Sequence, residues 1–325
     1  MSAAPLISVF TAAYKRTASL QHAMRSALAQ SCADFEYLVI GDCCEDNTEE
    51  VVRGFDDKRI VWRNLPQNTG HQSGVNKAAL EMARGQYIAY LNQDDLWFPD
   101  HLATLVEPIR EHKLDLISSL CISVFPPGHR YREILGMPYR LQNGVLDYQP
   151  MTSTTLHTLS AAREVGGWID WRENKAVPTI EFFHRLRGLR GRFGVLPHIT
   201  TLKFHSGNRV GSYVKDDAAE LARYARLMAE DPLLRYREAM VAMACAATFE
   251  PSPQIKVPVE PEGAPPGWYI EQLRNIRGLD PRLGLDPAAQ PKYEAIAVPP
   301  ETLLRVPEDG WPLIASGFEG ASKTA

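Results

Sequence analysis

Cysteine is scarce and scattered in this chain. The 325 residues hold five: Cys32, Cys43, Cys44, Cys121 and Cys245. Their spacing matches no structural zinc site. An odd count with one vicinal pair excludes a disulfide framework, and a reducing compartment follows. Long apolar runs are also lacking. None approaches the ~20 residues that span a bilayer. The N-terminus lacks a basic start followed by an apolar stretch, so no signal peptide is read. A cytoplasmic location is expected, with peripheral membrane contact left open. There is no excess of positive charge: 35 Lys and Arg face 39 Asp and Glu, for a formal net charge of -4. Without a basic field, no nucleic-acid partner is expected. Thr11 to Arg16 contains no glycine. That excludes the Gly-x-Gly-x-x-Gly turn of nicotinamide dinucleotide enzymes and the Gly-rich loop of sugar nucleotidyltransferases.

What is present is ordinary for a globular α/β protein, with 45% hydrophobic and 23% charged residues. Short apolar runs at Leu6–Phe10, Tyr37–Ile40, Ile60–Trp62 and Tyr87–Leu91 read as strands. Helical periodicity falls between them at Leu20–Leu28, with Ser19 as N-cap, at Glu49–Phe55 and at Val75–Ala83. Such alternation predicts parallel βαβ units. Pro99–His112 continues as helix and Leu114–Val124 as strand. Turn signals at Pro126–Gly128 and Asn143–Gly144 suggest a hairpin within 125–150. Further helices are expected at Thr158–Val165 and Thr179–Leu189, with a strand at Val195–Phe204. Asp216–Thr248 reads as two helices broken near Asp231–Pro232. Prolines from Pro251 to Pro266 mark a linker, and Trp268–Ile276 reads as a short helix.

Two adjacent acids, Asp94 and Asp95, end the run Tyr87–Leu91. In open α/β sheets ligands bind outside the carboxyl ends of strands. Carboxylates there can hold a divalent cation, which usually also touches phosphate. The alternative is a solvated turn.

Six segments, in order, resemble family 2 glycosyltransferases. Ile7-Ser-Val-Phe-Thr-Ala-Ala-Tyr-Lys-Arg16 resembles the opening strand and loop. Val39-Ile-Gly-Asp-Cys-Cys-Glu-Asp-Asn-Thr48 resembles the second strand and its acidic end. Asn68-Thr-Gly-His-Gln-Ser-Gly-Val-Asn-Lys77 is similar to the loop before the next helix. Arg84-Gly-Gln-Tyr-Ile-Ala-Tyr-Leu-Asn-Gln-Asp-Asp95 resembles the run into the Asp-x-Asp motif. Arg163-Glu-Val-Gly-Gly-Trp168 and His205-Ser-Gly-Asn208 are similar to later family segments.

The resemblance covers about residues 5–211. It implies an α/β fold of GT-A type, a Rossmann-like mixed sheet flanked by helices, here with a helical C-terminal extension. The implied organisation is a glycosyltransferase domain at 1–215, with a nucleotide half to about 125 and an acceptor half at 126–215. A helical extension at 216–250 and a Pro-rich linker and tail at 251–325 follow. The implied activity is metal-dependent, inverting transfer of a sugar from a nucleotide diphosphate sugar to a carbohydrate or lipid-linked acceptor, in polysaccharide or glycoconjugate synthesis.

The resemblance also assigns residues. Thr11, Ala12 and Tyr14 would contact base and ribose, and Asp42 would accept a hydrogen bond from the base. Gly70 and Asn76 would present a helix terminus to phosphate; the Arg common before that Asn is Val75 here. Asp94 would contact ribose or sugar. Asp95 and His205 would hold Mn or Mg, with Asn92 in place of the usual first acid. Asn208 and Arg209 are further diphosphate candidates. Inverting transfer needs a carboxylate base, but Thr179 stands at the usual Asp position. Glu181 and Asp170 are the remaining candidates. The tryptophans Trp97, Trp168 and Trp171, with Phe98, are candidates for shaping an acceptor cleft. The departures at Thr179 and Val75 keep a second reading open, a sugar-nucleotide-binding module without transfer.

Overall fold

Period-two alternation sets the sheet. In β2 (Phe35–Gly41), Phe35, Tyr37 and Val39 pack into one apolar cluster, while Leu38 and Ile40 pack into another on the opposite face. The same alternation runs through β1 (Ile7–Ala13) and β4 (Tyr87–Tyr90), so these strands are buried on both sides. The computed structural model describes residues 4–126, 129, 131–140, 146–147, 149–174, 176–247 and 260–279.

β1 pairs in parallel with β2 and β4, and β2 pairs in parallel with β3 (Ile60–Asn64). This half follows the expected βαβ pattern. Helices α1 (Thr17–Leu28), α2 (Thr48–Arg53) and α4 (His101–Glu111) cover one face. Helices α3 (Gln72–Met82), α5 (Leu159–Glu164) and α6 (Pro178–Arg190) cover the other.

Beyond β4 the sheet becomes mixed. The strand order is β3-β2-β1-β4-β10-β6-β11-β5. It includes β5 (Asp95–Trp97), β6 (Leu116–Val124), β10 (Thr155–Thr158) and β11 (Phe193–Lys203). β10 runs antiparallel to β4 and β6, while β11 is parallel to β6. β7 (Arg132–Leu135) lies antiparallel to β6, which ends before the 125–150 stretch where a hairpin is expected. A two-stranded ribbon pairs β8 (Tyr139–Arg140) with β9 (Leu146–Asp147). The Asn143–Gly144 turn lies outside the described residues.

A third cluster lies under α7 (Ala219–Glu230) and α8 (Leu234–Ala247), where Leu221, Tyr224 and Leu234 meet Phe98, Ile122 and Phe204. Helix α9 (Trp268–Ile276) follows. All five cysteines are free. Among the described residues, no helix is long and apolar enough to cross a membrane.

Two polar ties fix the nucleotide half. Buried Glu36 accepts from Ser8 Oγ at 2.6 Å and from the Arg84 backbone N–H and Nε, each at 2.8 Å. This joins β1, β2 and the turn into β4. The second tie corrects the expected cap of α1. Ser19 lies inside the helix, and Arg16 precedes it with φ 59°. Asp216 supplies the cap, accepting from the Ala18 N–H at 2.6 Å and Ser19 Oγ at 2.8 Å.

Candidate nucleotide-binding site

The carboxyl ends of β1, β2 and β4 open on one cavity of about 250 Å³. Its walls carry Ala12, Tyr14, Asp42, Gly70, Asp94 and His205 among the expected residues. The parallel register aligns Ala13 with Gly41 and Phe10 with Tyr90, so the chain leaves all three strands at one rim. Thr11 stays within β1, bonded to Tyr37 Oη and to the Leu91 carbonyl at 2.8 Å each. Asn76 is buried inside α3 and does not reach the cavity.

Asp42 sits in a cradle made by the loop before α3. The Thr69 N–H donates to its Oδ1 at 2.6 Å, and Asn68 Nδ2 donates to its backbone carbonyl at 2.8 Å. Burial raises the Asp42 pKa, against hydrogen bonds from Thr69 and the Gly70 N–H and against the nearby Arg274. His71 caps α3 by accepting from the Ser73 N–H. Burial, with Arg277 and Arg274, pushes its imidazole down to about 3, which keeps that acceptor nitrogen free.

The loop after β4 is held from two sides. Gln93 accepts from the Tyr14 N–H at 3.0 Å and donates to the Tyr14 carbonyl at 3.1 Å. Asp94 accepts from Arg16 Nη1 at 2.8 Å, and the Arg16 side chain is only 3% exposed.

Asp95 has a different environment. It is the first residue of β5 and stands opposite Lys203 in β11. It is wholly buried. Its Oδ2 accepts from Ser153 Oγ at 2.6 Å, Asn92 Nδ2 at 3.0 Å and Lys203 Nζ at 3.2 Å. Its Oδ1 accepts from the Phe204 N–H at 3.0 Å. Burial works against the Lys203 ammonium, but Asp95 and Asp94 outweigh it and raise its pKa.

A family model described as Glycosyl transferase family 2 matches residues 8–163. That stretch, just under half of the chain, is similar to glycosyl transferase family 2. TuaG of Bacillus subtilis (strain 168), a glycosyltransferase provisionally named for teichuronic acid biosynthesis, is 35% identical over 109 residues, 33% of this chain and 43% of that protein. The Escherichia coli UDP-Glc:alpha-D-GlcNAc-diphosphoundecaprenol beta-1,3-glucosyltransferase WfaP is 28% identical over 109 residues, 34% of this chain and 43% of its own. The match therefore spans less than half the length of either relative. Among solved structures, S. aureus TarS superposes with a TM-score of 0.52 at 17% identity, covering 73% of this chain and 69% of that one. That likeness supports the GT-A fold.

The metal expected from that likeness does not fit these side chains. Both Asp95 oxygens are taken by protein donors, and one of these is already a cation. Asp94 is engaged by Arg16. His205 lines the cavity, but burial and the charges of Lys203, Arg209 and Arg277 hold its pKa well below the usual range. A neutral imidazole can ligate a metal, but here it stands without a free Asp95 oxygen beside it. Among the described residues, no three Asp, Glu, His or Cys side chains gather to hold one.

The expected bases also lie away from the cavity. Glu181 pairs with Arg185 one helical turn on, and Arg185 also donates to the Val165 and Gly167 carbonyls. Asp170 accepts from the Arg172 N–H at 2.9 Å and caps a short turn. Thr179, in contrast, is on the wall with Met151, Thr152 and Val177. Arg209 pairs with Glu220. Trp168 is core rather than cleft: it stacks on Phe182 at 4.3 Å and donates to Tyr90 Oη at 3.1 Å. Trp97 and Phe98 are buried as well.

Lys203, Tyr213, Arg274 and Arg277, none of them singled out by sequence, complete the walls. Lys203 was detectable only as an opposite charge across a strand pair whose register was unknown. The two arginines follow the Pro-rich stretch, so no local pattern connected them to the strand ends.

Proposed function

We propose that this cavity binds a nucleoside diphosphate sugar and that the protein transfers the sugar to an acceptor hydroxyl in polysaccharide or glycoconjugate synthesis. The observation that carries the proposal is the convergence of Tyr14, Asp42, Gly70 and Asp94 on one cavity at the carboxyl ends of β1, β2 and β4. Asp42 is placed to accept an N–H from a base, and Asp94 to accept ribose or sugar hydroxyls. A charge-assisted bond of that kind contributes about 1.5–3 kcal/mol. The names of TuaG, for teichuronic acid biosynthesis, and WfaP, for a diphosphoundecaprenol-linked GlcNAc, support glycan or lipid-linked glycan acceptors as the class. TarS has been crystallised in complex with UDP-GlcNAc, which supports a nucleotide sugar as donor class.

In transfer, the acceptor oxygen bonds to the anomeric carbon while the bond from that carbon to the diphosphate oxygen breaks. Charge grows on the leaving diphosphate, so fixed positive groups near it stabilise the transition state. The acceptor proton needs a base. Among the described residues, the carboxylates on the cavity wall are Asp42 and Asp94, both on the donor side. That placement is the observation behind a second reading, a binding module that holds a sugar nucleotide without transferring it.

Purified protein incubated with a panel of UDP- and GDP-sugars and candidate acceptors tests both readings. Glycoside formation or donor hydrolysis supports transfer, whereas saturable donor binding without either supports the module. Binding of no nucleotide sugar defeats the proposal.

A further inference from the structure

We propose that Lys203, Arg274 and Arg277 form a built-in cationic seat for the diphosphate of the bound nucleotide, which therefore binds without a divalent metal. The inference rests on the nucleotide-binding reading above and deepens it.

All three side chains line the cavity that also carries Asp42 and Asp94. Lys203 reaches it from the end of β11, directly across from Asp95. A divalent ion would have to displace this ammonium to reach the buried carboxylate. The ammonium instead stands as a fixed positive charge facing the cavity, with Asp95 as its buried counterion.

The two arginines arrive on and just beyond α9, which is docked in place. Arg274 Nη1 donates to the Gly70 carbonyl, and its guanidinium lies 5.7 Å from the centre of the Trp171 ring. Trp171 Nε1 donates to the Thr69 carbonyl at 3.0 Å. At the start of α9, Gly267 has φ 84°, and a Cβ there would lie 3.1 Å from the Trp171 ring. Only glycine suits that close, left-handed approach. Downstream, the Arg277 carbonyl accepts from the Tyr213 N–H at 3.0 Å, and the Ile276 carbonyl accepts from the Gly211 N–H at 2.9 Å. The helix thus bridges the Gly70 loop and the segment after β11.

Arg277 has a further mark. Its Nε is buried and makes no hydrogen bond among the described residues. A buried donor left unpaired is costly, and Arg277 itself lines the cavity, where an anionic ligand can pair with its guanidinium. Of the groups proposed to bind here, the diphosphate is the anion. Arginine is suited to it, because its planar fork can bind two phosphate oxygens together.

Calorimetric titration of the full chain tests this, with UDP, GDP and their nucleosides as probes. Each is measured in EDTA and again with Mn. The expected result is that one diphosphate binds equally well in both. Arg277→Ala, and separately Arg274→Ala, should weaken that diphosphate about 10- to 100-fold. Arg277→Ala should leave the nucleoside affinity unchanged, which a merely structural role would not do; Arg274 also stands beside Asp42 and holds the Gly70 carbonyl, so its variant is judged on the larger loss for the diphosphate. Arg277→Lys should recover part of the loss. Lys203→Met alone would strand a buried carboxylate, so the double variant Lys203→Met with Asp95→Asn is used; it should also weaken the diphosphate selectively. Binding only with Mn, or equal losses for nucleoside and diphosphate, would overturn the cationic seat while leaving the nucleotide site intact. Binding of neither diphosphate in either condition defeats the underlying reading and the seat with it.

Discussion

Arg16 and Asp94, seventy-eight residues apart, form a buried ion pair with Nη1 2.8 Å from Oδ2. Arg16 reaches it from a left-handed backbone position just before α1. The pair ties the loop after β1 to the loop after β4, the two segments that form one side of the cavity.

Breaking that pair on one side should be costly. Arg16→Ala leaves an uncompensated buried carboxylate and should lose about 3–5 kcal/mol of stability, read by urea denaturation. Asp94→Asn keeps the shape and an acceptor oxygen. It should fold, yet weaken donor binding about 10-fold or more, read by titration with the nucleotide sugar that the panel identifies. An Asp94→Asn variant with full donor affinity would remove Asp94 from the site.

Glu181→Gln separates the cavity from the helix that borders it. Because Glu181 faces Arg185 and not the cavity, donor affinity should stay unchanged. Stability should fall by about 0.5–1.5 kcal/mol, since the substitution weakens a partly buried ion pair. Loss of turnover with stability intact would return Glu181 to the chemistry.

Gly85 joins the turn to β4, where a Cβ would overlap the Ser8 backbone. Gly85→Ala should cost about 1–3 kcal/mol by overpacking. The measurement is the denaturation midpoint, and an unchanged midpoint would mean that β1 and β4 can separate locally at no cost.

Acid should destabilise the fold well above the carboxylate range. His101 and His157 are both wholly buried. Burial pushes their imidazoles down to about 3 and about 4 respectively. Unfolded, each has a pKa of about 6.5, so below that pH the unfolded chain binds protons that the native chain refuses. Stability is therefore full above about pH 6.5 and falls towards pH 4, by about 2 kcal/mol per histidine at pH 5. Urea midpoints at pH 7 and pH 5 measure the drop, and His157→Gln should reduce its slope.

Local pattern carried the first half of the fold. The apolar runs at β1, β2 and β4 are short, doubly buried and bounded by polar loops, so period and length sufficed. The rim at their carboxyl ends followed, with Tyr14, Asp42 and Asp94 on it. The second half was less legible because its geometry depends on register. Asp95 read as a metal ligand at the end of a strand, yet it begins β5, whose pairing with β11 decides that it meets Lys203. Glu181 was separable from Thr179 only once the orientation of α6 was fixed by Phe182 and Phe183 entering the core. Helix α9 was legible as a helix, but its docking depends on Trp171 and the Gly70 loop, far away in the chain.

The Asp216 cap on α1 has a consequence for biosynthesis. A helix near the start of the polypeptide has one of its first amide groups satisfied by a side chain almost two hundred positions downstream. During translation, the early segments can collapse before that carboxylate has left the ribosome, but they cannot finish. Closure over such a sequence separation slows folding. Nascent chains stalled before and after residue 216 should therefore differ in protease resistance at α1, the earlier ones being cut more readily there.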